Sequence, residues 1–282
     1  MTYEIVIVGA GIAGISAALA AQRSGVKNVL LLERHGAVGG FTLPYHDSPE
    51  FADARELVRV AREIRYPMRL RSAVIGFFPG TAEEGHTLYL QTPQGMEQIG
   101  ARRVLIASGA LEMPKEAGQI PGSRPAGVMT PHLAAELVDR GYRLGQRVAA
   151  FDTGRMARAA IDKLRQHGHA VTVFAGSSEL ARVHGVARLE AIEVRQADDD
   201  RALRFECDTL LYCRGRYGAT FFLKDAPVSR GPDLTLATEP GGYAGIPGVY
   251  AAGACTAAGD DDHAKSAEQG IAAMMALLTE NG

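Results

Sequence analysis

The sequence has little of the residues that mark several classes of protein. It contains no tryptophan and only three cysteines, Cys207, Cys213 and Cys255, with no CxxC pair among them. So few cysteines exclude a disulfide framework, and the missing CxxC excludes dithiol redox chemistry. Cys207 and Cys213 lie six apart in a strand-like segment, so we expect them to share a face as small core residues. A reducing, cytoplasmic setting follows.

The chain also lacks an excess of either charge. Its 30 Lys and Arg residues face 32 Asp and Glu residues, for a net charge of -2. No broad positive field is present to hold nucleic acid or an anionic membrane. No apolar run reaches the roughly 18 residues that a spanning helix needs. The segment from Ile5 to Ala21 follows Glu4 rather than Lys or Arg, which argues against an export signal. The expected partner is a small molecule or another protein.

What the sequence does contain is a glycine motif between two apolar runs. Gly9-Ala10-Gly11-Ile12-Ala13-Gly14 directly follows the run from Ile5 to Val8, and Glu33 closes the next apolar run. This order predicts a dinucleotide-binding βαβ unit whose first helix would present N–H groups to a diphosphate. Glu33 would accept a hydrogen bond from a ribose hydroxyl. The alternative is that the glycines only shape a tight turn.

The remainder of the chain falls into three zones. Residues 1–117 continue with a helix around Ala52 to Ile64, a hairpin around Pro93-Gln94-Gly95 and a separate strand from Val104 to Ile106. A Pro/Gly-rich segment from Ile120 to Gly127 is typical of an interdomain connection.

The second zone, residues 118–221, repeats the opening pattern. We predict a strand from Val148 to Phe151, a helix carrying Met156 to Leu164, and a strand from Ala170 to Phe174. Further strands are expected near Leu189 to Arg195 and Leu203 to Glu206. The third zone, residues 222–282, ends in an amphipathic helix from about Ala264 to Leu278 and is too short to fold alone. It must therefore complete an earlier sheet.

With these motifs the chain resembles the FAD-dependent pyridine-nucleotide oxidoreductases that have two dinucleotide-binding domains. The resemblance implies an α/β fold of two Rossmann-like three-layer domains, in which an FAD domain (1–117 and 222–282) is split by a reduced NAD(P)-binding-like domain (118–221). It also implies FAD as cofactor. The FAD-binding positions that it implies are Gly9, Gly11, Ile12, Ala13, Gly14, Glu33, Arg34, Gly39, Gly40, Ala107, Ser108, Gly109, Gly253, Ala254, Lys265 and Gln269.

Two segments narrow the resemblance. Gln119 to Thr130 and Phe205 to Leu211 are similar to the flavin subunits of hydrogen cyanide synthase, opine oxidase and amino-acid dehydrogenases, and to a flavoprotein that accompanies glycerol-3-phosphate dehydrogenase. This implies a flavin subunit that passes electrons between a small organic substrate or partner subunit and an acceptor. The alternative is a non-catalytic structural or regulatory nucleotide-binding subunit. No catalytic residue beyond the flavin is identified.

Two departures from the family pattern bear on the cofactors. In the second βαβ unit the first glycine is replaced by Asp152, and like charges about 4 Å apart repel by on the order of 4 kcal/mol at an effective dielectric near 20. Use of NAD(P)H is therefore uncertain, although Arg155 and Arg158 could offset part of the repulsion. Ala254 stands where the family usually has an Asp that binds the ribityl chain. The absence of that carboxylate would weaken FAD binding by about 1.5–3 kcal/mol.

The polar segment from Gly259 to Ser266 indicates the N-terminus of a helix rather than a metal site. Asp262 is a good N-cap candidate, and Ser266 and Gln269 have capping-box spacing. The resemblance implies that the last helix points its N-terminus at the flavin ring, where Lys265, Glu268 and Gln269 would lie nearby. The histidines have no paired acid at readable spacing, so the sequence assigns them no role.

Overall fold

The computed structural model describes residues 1–81, 83–175, 177–196, 199–259 and 262–280, so Asp260 and Asp261 of the acidic segment lie outside the described residues. The strands are β1 (Thr2–Val8), β2 (Val29–Leu32), β3 (Met68–Arg69), β4 (Ala73–Phe78), β5 (His86–Thr92), β6 (Gly95–Ile106), β7 (Ala110–Glu112), β8 (Val128–Met129), β9 (Arg147–Phe151), β10 (Ala170–Phe174), β11 (Glu179–His184), β12 (Ala191–Gln196), β13 (Asp199–Glu206), β14 (Thr209–Leu211), β15 (Arg216–Gly218), β16 (Tyr243–Ile246) and β17 (Val249–Ala251). The helices are α1 (Ile12–Arg23), α2 (Ala52–Arg59), α3 (Pro131–Asp139), α4 (Arg155–Gln166) and α5 (His263–Thr279).

The described residues form two compact units. Unit 1 comprises Met1–His46, Phe51–Leu111 and Tyr217–Gly282, and unit 2 comprises Asp47–Glu50 and Glu112–Arg216. The mixed α/β architecture with parallel sheets confirms the predicted fold class. The domain boundaries at 117/118 and 221/222 stay predictions.

The glycine motif of unit 1 follows the first strand of a mixed sheet whose central strands are parallel. Its strand order is β16-β17-β6-β1-β2-β3, with β1 parallel to both β2 and β6 and β17 parallel to β6. Side chains of β1 alternate between two cores: Ile5 and Ile7 face the cluster that includes α1 and α5, whereas Val6 and Val8 face the cluster that includes β5. Burial on both faces is why this strand reads as a continuous apolar run.

The hairpin predicted around Pro93-Gln94-Gly95 is present as β5 and β6. The structure corrects one part of that prediction, because β6 runs unbroken to Ile106 and includes the strand that was expected to be separate. Its first half pairs with antiparallel β5, and its second half lies between β1 and β17. Arg102 and Arg103 interrupt the apolar pattern in the middle of the strand, which hides its continuity in the sequence.

The helices of unit 1 lie close to their predicted positions. Ile12, Ile15 and Leu19 of α1 are buried, as their spacing predicts. The helix expected from Ala52 to Ile64 is α2 followed by a short 3-10 turn, Val60–Glu63. The last helix, α5, extends one residue further at each end than predicted.

Unit 2 contains a second βαβ unit, β9-α4-β10, in a parallel sheet of order β10-β9-β14-β8. The predicted strands near Leu189 and Leu203 are β12 and β13 of a separate antiparallel sheet with β11. The segment from Ile120 to Gly127 lies within unit 2, where Gly122 forms a bridge with Val183. This contact joins it to the antiparallel sheet of unit 2, and its role as an interdomain connection stays a prediction.

All three cysteines are buried, and none forms a disulfide. Cys207 lies just before β14 and Cys213 just after it, so both flank this strand, and the expectation that they share a face stays a prediction. Burial beside Asp208 raises the pKa of the Cys207 thiol to about 12. Such thiols behave as small apolar core groups, which is the role that the sequence favoured.

Candidate functional site

The glycine motif forms the turn between β1 and α1, with no space for side chains at two of its positions. Gly9 has a φ of 105°, and a Cβ at this residue would overlap the carbonyl oxygen of Ala107. A Cβ at Gly14 would overlap the carbonyl oxygen of Gly9. Glycine at these two positions lets α1 begin directly against the carboxyl ends of β1 and β6.

The N-terminus of α1 has no side-chain cap. Its N-cap residue is Gly11, its first turn contains no acidic residue, and the first bond of the helix runs from the Ile15 N–H to the Gly11 carbonyl at 2.9 Å. No described side chain accepts a hydrogen bond from the N–H groups of Ile12, Ala13 or Gly14. These donors and the positive end of the helix dipole form a site suited to a diphosphate.

Of the five described helices, α1, α2 and α4 begin without a side-chain cap, whereas α3 and α5 have one. The Thr130 side chain accepts a bond from an N–H of α3, and the Asp262 carboxylate accepts one from the Lys265 N–H of α5 at 3.2 Å. Asp262 is thus the N-cap that the sequence predicts. The Ser266 and Gln269 capping box is wrong, because α5 already begins at His263 and Ser266 lies one turn inside it.

Glu33 lies at the end of β2 and is almost fully buried. One carboxylate oxygen accepts the Ala10 N–H at 2.9 Å, and the other accepts the His35 N–H at 2.8 Å. These bonds tie the acid to the glycine turn and leave each oxygen able to accept another hydrogen bond. The neighbouring Arg34 side chain is exposed.

Gly39 and Gly40 close on the same turn from the other side. The Gly39 N–H donates to the Ala10 carbonyl at 2.8 Å. A Cβ at Gly11 would lie 4.0 Å from the Gly40 Cα and nearer to no other atom outside its own chain neighbours. The structure therefore brings Gly39 and Gly40 against the glycine motif at Gly9 to Gly14, although about 25 residues of sequence separate them.

The turns after β6 and β17 lie side by side. Ala107 and Ser108 continue β6, and Gly253 and Ala254 follow β17, with the Ala252 N–H donating to the Ile106 carbonyl at 2.9 Å. These are adjacent because the two strands are parallel neighbours. The predicted FAD-binding residues Ala107 and Ser108 are thus brought beside Gly253 and Ala254.

Cys255 lies beneath these two turns. Its thiol donates to the carbonyls of Ala252 and Ile106 at 3.3 and 3.5 Å. Complete burial raises the pKa of this thiol, and the neighbouring Ser108 and Gly109 groups counter that rise in part. A buried, protonated thiol is a structural contact between the turns rather than a nucleophile.

Gln269 and Lys265 differ in their surroundings. The Gln269 side-chain oxygen accepts the Gly253 N–H at 3.1 Å, and its nitrogen donates to the Ala258 carbonyl at 3.0 Å. Gln269 therefore braces the turn after β17. Lys265 is exposed in the first turn of α5.

The residues around the glycine turn fit an FAD molecule. An uncapped helix N-terminus supplies donors for the diphosphate, and the buried Glu33 carboxylate can accept from a ribose hydroxyl. Ala254 removes one acceptor that the family uses for the ribityl chain. The remaining predicted residues are compatible with an FAD site that has one acceptor fewer, and their contacts with FAD stay predictions.

The turn between β9 and α4, in the second βαβ unit, contains an acid. One Asp152 oxygen accepts the Gly154 N–H at 3.3 Å and pairs with the Arg158 guanidinium at 3.3 Å. Arg158 also approaches Glu50 at 3.7 Å. The carboxylate therefore takes an N–H that a nucleotide phosphate would bind, and Arg158 offsets part of its charge.

Two kinds of feature are not found in the part of the chain that the structure describes. No group of three or more His, Cys, Asp or Glu residues there could hold a metal ion. No helix there is both long and apolar enough to cross a membrane.

Unit 1 contains a cavity that the sequence analysis did not predict. Its volume is about 660 Å³, and its lining includes Val38, Met68 and the three arginines of α2 and the following turn, Arg55, Arg59 and Arg62. None of the predicted FAD-binding residues lines it. The arginines recur every three or four positions, a spacing that places them on one face of a helix. This spacing is the one sequence pattern that could have indicated the cavity.

Comparisons with known proteins agree with these motifs. The family described as "Pyridine nucleotide-disulphide oxidoreductase" matches residues 3–149. The sarcosine oxidase subunit alpha of Corynebacterium sp. (strain P-1) is 27% identical over 256 residues, covering 75% of this chain and 26% of that protein. The subunit from strain U-96 is 27% identical over 210 residues, covering 68% and 21%. The chain thus spans about a quarter of the length of these relatives.

Solved structures share the fold. The L-proline dehydrogenase from P. horikoshii superposes with a TM-score of 0.78 at 21% identity, covering 99% of this chain and 55% of that one. The thioredoxin reductase from T. acidophilum superposes with a TM-score of 0.68 at 18% identity, covering 98% and 97%. At these identities the likeness concerns the fold alone.

Proposed function

The chain belongs to the pyridine nucleotide-disulphide oxidoreductase family and is an FAD-dependent oxidoreductase, and we propose that it acts as the flavin subunit of a multi-component dehydrogenase. In this role it passes electrons from a small organic substrate, or from a partner subunit, to an acceptor. The observation that carries the proposal is the uncapped N-terminus of α1 at the glycine turn, tied to the buried Glu33.

The relatives favour a particular class of substrate and assembly. The two curated relatives are subunits of sarcosine oxidase, and a protein of similar fold is an L-proline dehydrogenase. Sarcosine and proline are both secondary amino acids. We therefore propose a secondary amino acid as substrate and a further subunit as partner.

Within this function the chain's own residues bind and orient the cofactor. The N–H groups of α1 would hold the diphosphate, and Glu33 would accept from the adenosine ribose. When bound, FAD supplies two-electron chemistry that no side chain can perform. The turns after β6 and β17, braced by Gln269 and Cys255, would hold the flavin half.

NAD(P)H is not the electron source in this proposal. Asp152 accepts the Gly154 N–H at the second turn, so a dinucleotide phosphate would compete with a carboxylate that is already paired with Arg158. Binding there would also bring a negative charge beside Asp152. Electrons then come from the organic substrate or from the partner.

The alternative function is a structural or regulatory subunit that binds a nucleotide without turnover. The loss of the ribityl-binding acid at Ala254 and the acid at Asp152 favour it. It predicts bound ADP or AMP, or flavin that no donor reduces. The buried cysteines, none of which forms a disulfide, are compatible with the cytoplasm, where we place the protein.

A visible absorption spectrum of the freshly purified chain tests the proposal first. We expect flavin bands at one FAD per chain, anaerobic bleaching by sarcosine or proline in the presence of the partner subunit, and little bleaching by NADH or NADPH. Rapid bleaching by NADH alone would overturn the exclusion of NAD(P)H. A chain that carries only ADP or AMP would instead establish the structural alternative.

A further inference from the structure

The cavity of unit 1 is lined by α2, the 3-10 turn that follows it, Met68 of β3, and two residues that precede α2, Val38 and His46. Its volume of about 660 Å³ lies within the range of roughly 300–1,000 Å³ that is typical of small-molecule sites. Since none of the residues predicted to bind FAD lines it, a ligand bound there would be a second one, distinct from the cofactor.

One part of the lining is apolar. Ala61 is buried, and Val38, Val58 and Met68 are half-buried and pack against the core that includes α1. Ala52, at the start of α2, lines the same cavity. These side chains offer no strong hydrogen-bonding group, so this part of the cavity suits the apolar body of a ligand.

The other part of the lining is positively charged. Arg55, Arg59 and Arg62 lie on one face of α2 and its following turn. Glu56 is the one acid among the described lining residues, and it accepts bonds of 2.9 and 2.7 Å from Arg59. Because this pair is neutral as a whole, the lining keeps two positive charges, those of Arg55 and Arg62, not counting His46.

Arg55 and Arg62 differ from the arginines around them in having no partner. In the part of the chain that the structure describes, neither side chain forms a hydrogen bond or an ion pair, and both are exposed. Arg69, on the neighbouring strand β3, is instead paired with Glu97 at 2.7 Å. Two guanidinium groups without an acid, beside an apolar surface, are complementary to a ligand that carries an oxyanion.

We propose that this cavity binds an organic anion that has an apolar body and one oxyanion head, a carboxylate or a phosphate. The body lies against Val38, Val58 and Met68, and Arg55 and Arg62 bind the head. Both parts of the ligand are needed, because exposed arginines alone bind an anion weakly and an apolar wall alone does not select one. The proposal does not rest on the proposed function, since the cavity shares no residue with the predicted FAD site.

The test is isothermal titration of the purified full-length chain, with its bound cofactor, against four probes. Decanoate and decyl phosphate each carry an apolar body and an oxyanion head. Decanol has the body without the head, and inorganic phosphate has the head without the body. We expect one site per chain for at least one of the two amphipathic anions, with a Kd about tenfold lower than that of decanol or of inorganic phosphate.

Variants of the lining test which residues bind the head and the body. The double variant Arg55→Gln, Arg62→Gln should raise the Kd of the amphipathic anion about tenfold, and Arg55→Lys, Arg62→Lys should fall between it and the native chain, because ammonium groups keep the charge but not the fork. Ala52→Leu fills part of the cavity at unchanged charge and should raise the Kd several-fold. Arg23→Gln, at an exposed arginine of α1 outside the cavity, is the matched control and should keep the native Kd.

Circular dichroism and FAD content are recorded for every variant, so that a loss of folding or of cofactor is told apart from a loss of this site. The anion with the lower Kd identifies the head as a carboxylate or a phosphate. If decanol binds as tightly as both anions, the cavity is an apolar surface without a head site. If inorganic phosphate binds as tightly, or if the glutamine double variant keeps the native Kd, the proposed pairing of head and body is wrong. If neither anion binds the native chain, the cavity is not a site for this class of ligand, whatever its FAD content.

Discussion

Gly270 of α5 packs directly onto Ala13 of α1, so that a Cβ on Gly270 would overlap the Ala13 carbonyl oxygen. Two helices that begin at the same edge of the sheet are thereby held in backbone contact. We expect Gly270→Ala to destabilise the chain by about 1–3 kcal/mol, because the backbone contact cannot yield. Urea unfolding followed by circular dichroism measures this.

Helix propensity alone predicts the opposite sign for that substitution, since Ala is favoured over Gly by about 1 kcal/mol in a helix. Ala272→Gly, at an exposed position of the same helix, is the matched control and should cost about that amount. A Gly270→Ala chain that is as stable as the native one would show that α5 can move away from α1.

Glu33 should govern FAD affinity. Its carboxylate accepts the Ala10 N–H of the glycine turn and, in the proposed FAD site, would accept a ribose hydroxyl, so Glu33→Gln replaces a charged acceptor with a neutral one. A bond to a charged group contributes about 1.5–3 kcal/mol, which predicts a loss of FAD affinity of roughly 10- to 100-fold. Quenching of flavin fluorescence measures the Kd. Glu4→Gln, at a half-buried acid of β1, should leave the Kd unchanged, and a native Kd for Glu33→Gln would refute the role of Glu33.

Asp152 should control access of NAD(P)H to unit 2. Asp152→Asn removes the charge but keeps the shape, and it frees Arg158 to meet a phosphate. Because Arg158 already offsets part of the charge and both groups are partly exposed, we expect NADH to bind about tenfold more tightly, less than the repulsion estimated from the sequence alone. Asp162→Asn, on the exposed face of the same helix, is the control. Isothermal titration measures the Kd for NADH. If both variants had the Kd of the native chain, Asp152 would not control NAD(P)H binding.

His86 should make stability depend on pH. Burial lowers the pKa of this histidine, whose Nε2 donates to the Pro247 carbonyl at 3.1 Å while its buried Nδ1 has no partner among the described residues. The unfolded chain therefore takes up a proton that the folded chain resists. The stability from neutral His86 is present above about pH 6.5 and is lost as pH falls from there toward the lower folded pKa.

His86→Gln keeps a donor but cannot titrate, so its free energy of unfolding should fall less between about pH 7.5 and pH 5.5 than that of the native chain. His167→Gln should retain the native dependence. Parallel profiles for all three chains would mean that other groups cause the loss of stability at low pH.

The thiols provide a simple check of burial. Cys207 has a pKa raised to about 12, and burial raises that of Cys255 as well. Because the thiolate is the reactive form, we expect no rapid reaction of the native chain with a disulfide reagent at neutral pH. All three thiols should react once urea unfolds the chain. A fast-reacting thiol in the native chain would show that one of the cysteines is accessible.

The sequence determined the local features of this protein, because each depends on neighbours in the chain. The βαβ unit at Gly9, the hairpin before β6, the ends of α4 and the Asp262 cap all follow from short-range patterns of glycine, apolar and capping residues. The family and FAD could also be inferred, since the glycine motif and Glu33 lie within one such unit.

Only the tertiary structure decided which distant segments meet. Nothing in the spacing of Asp53 and His263 marks them as a pair, because their contact depends on α5 running from one edge of the sheet to the other. In the same way, the continuity of β6 depends on β5 and β17, which pair with its first and second halves. Such contacts arise from long-range burial, which a periodic pattern does not encode, whereas the turns and caps that it does encode are satisfied within a few residues.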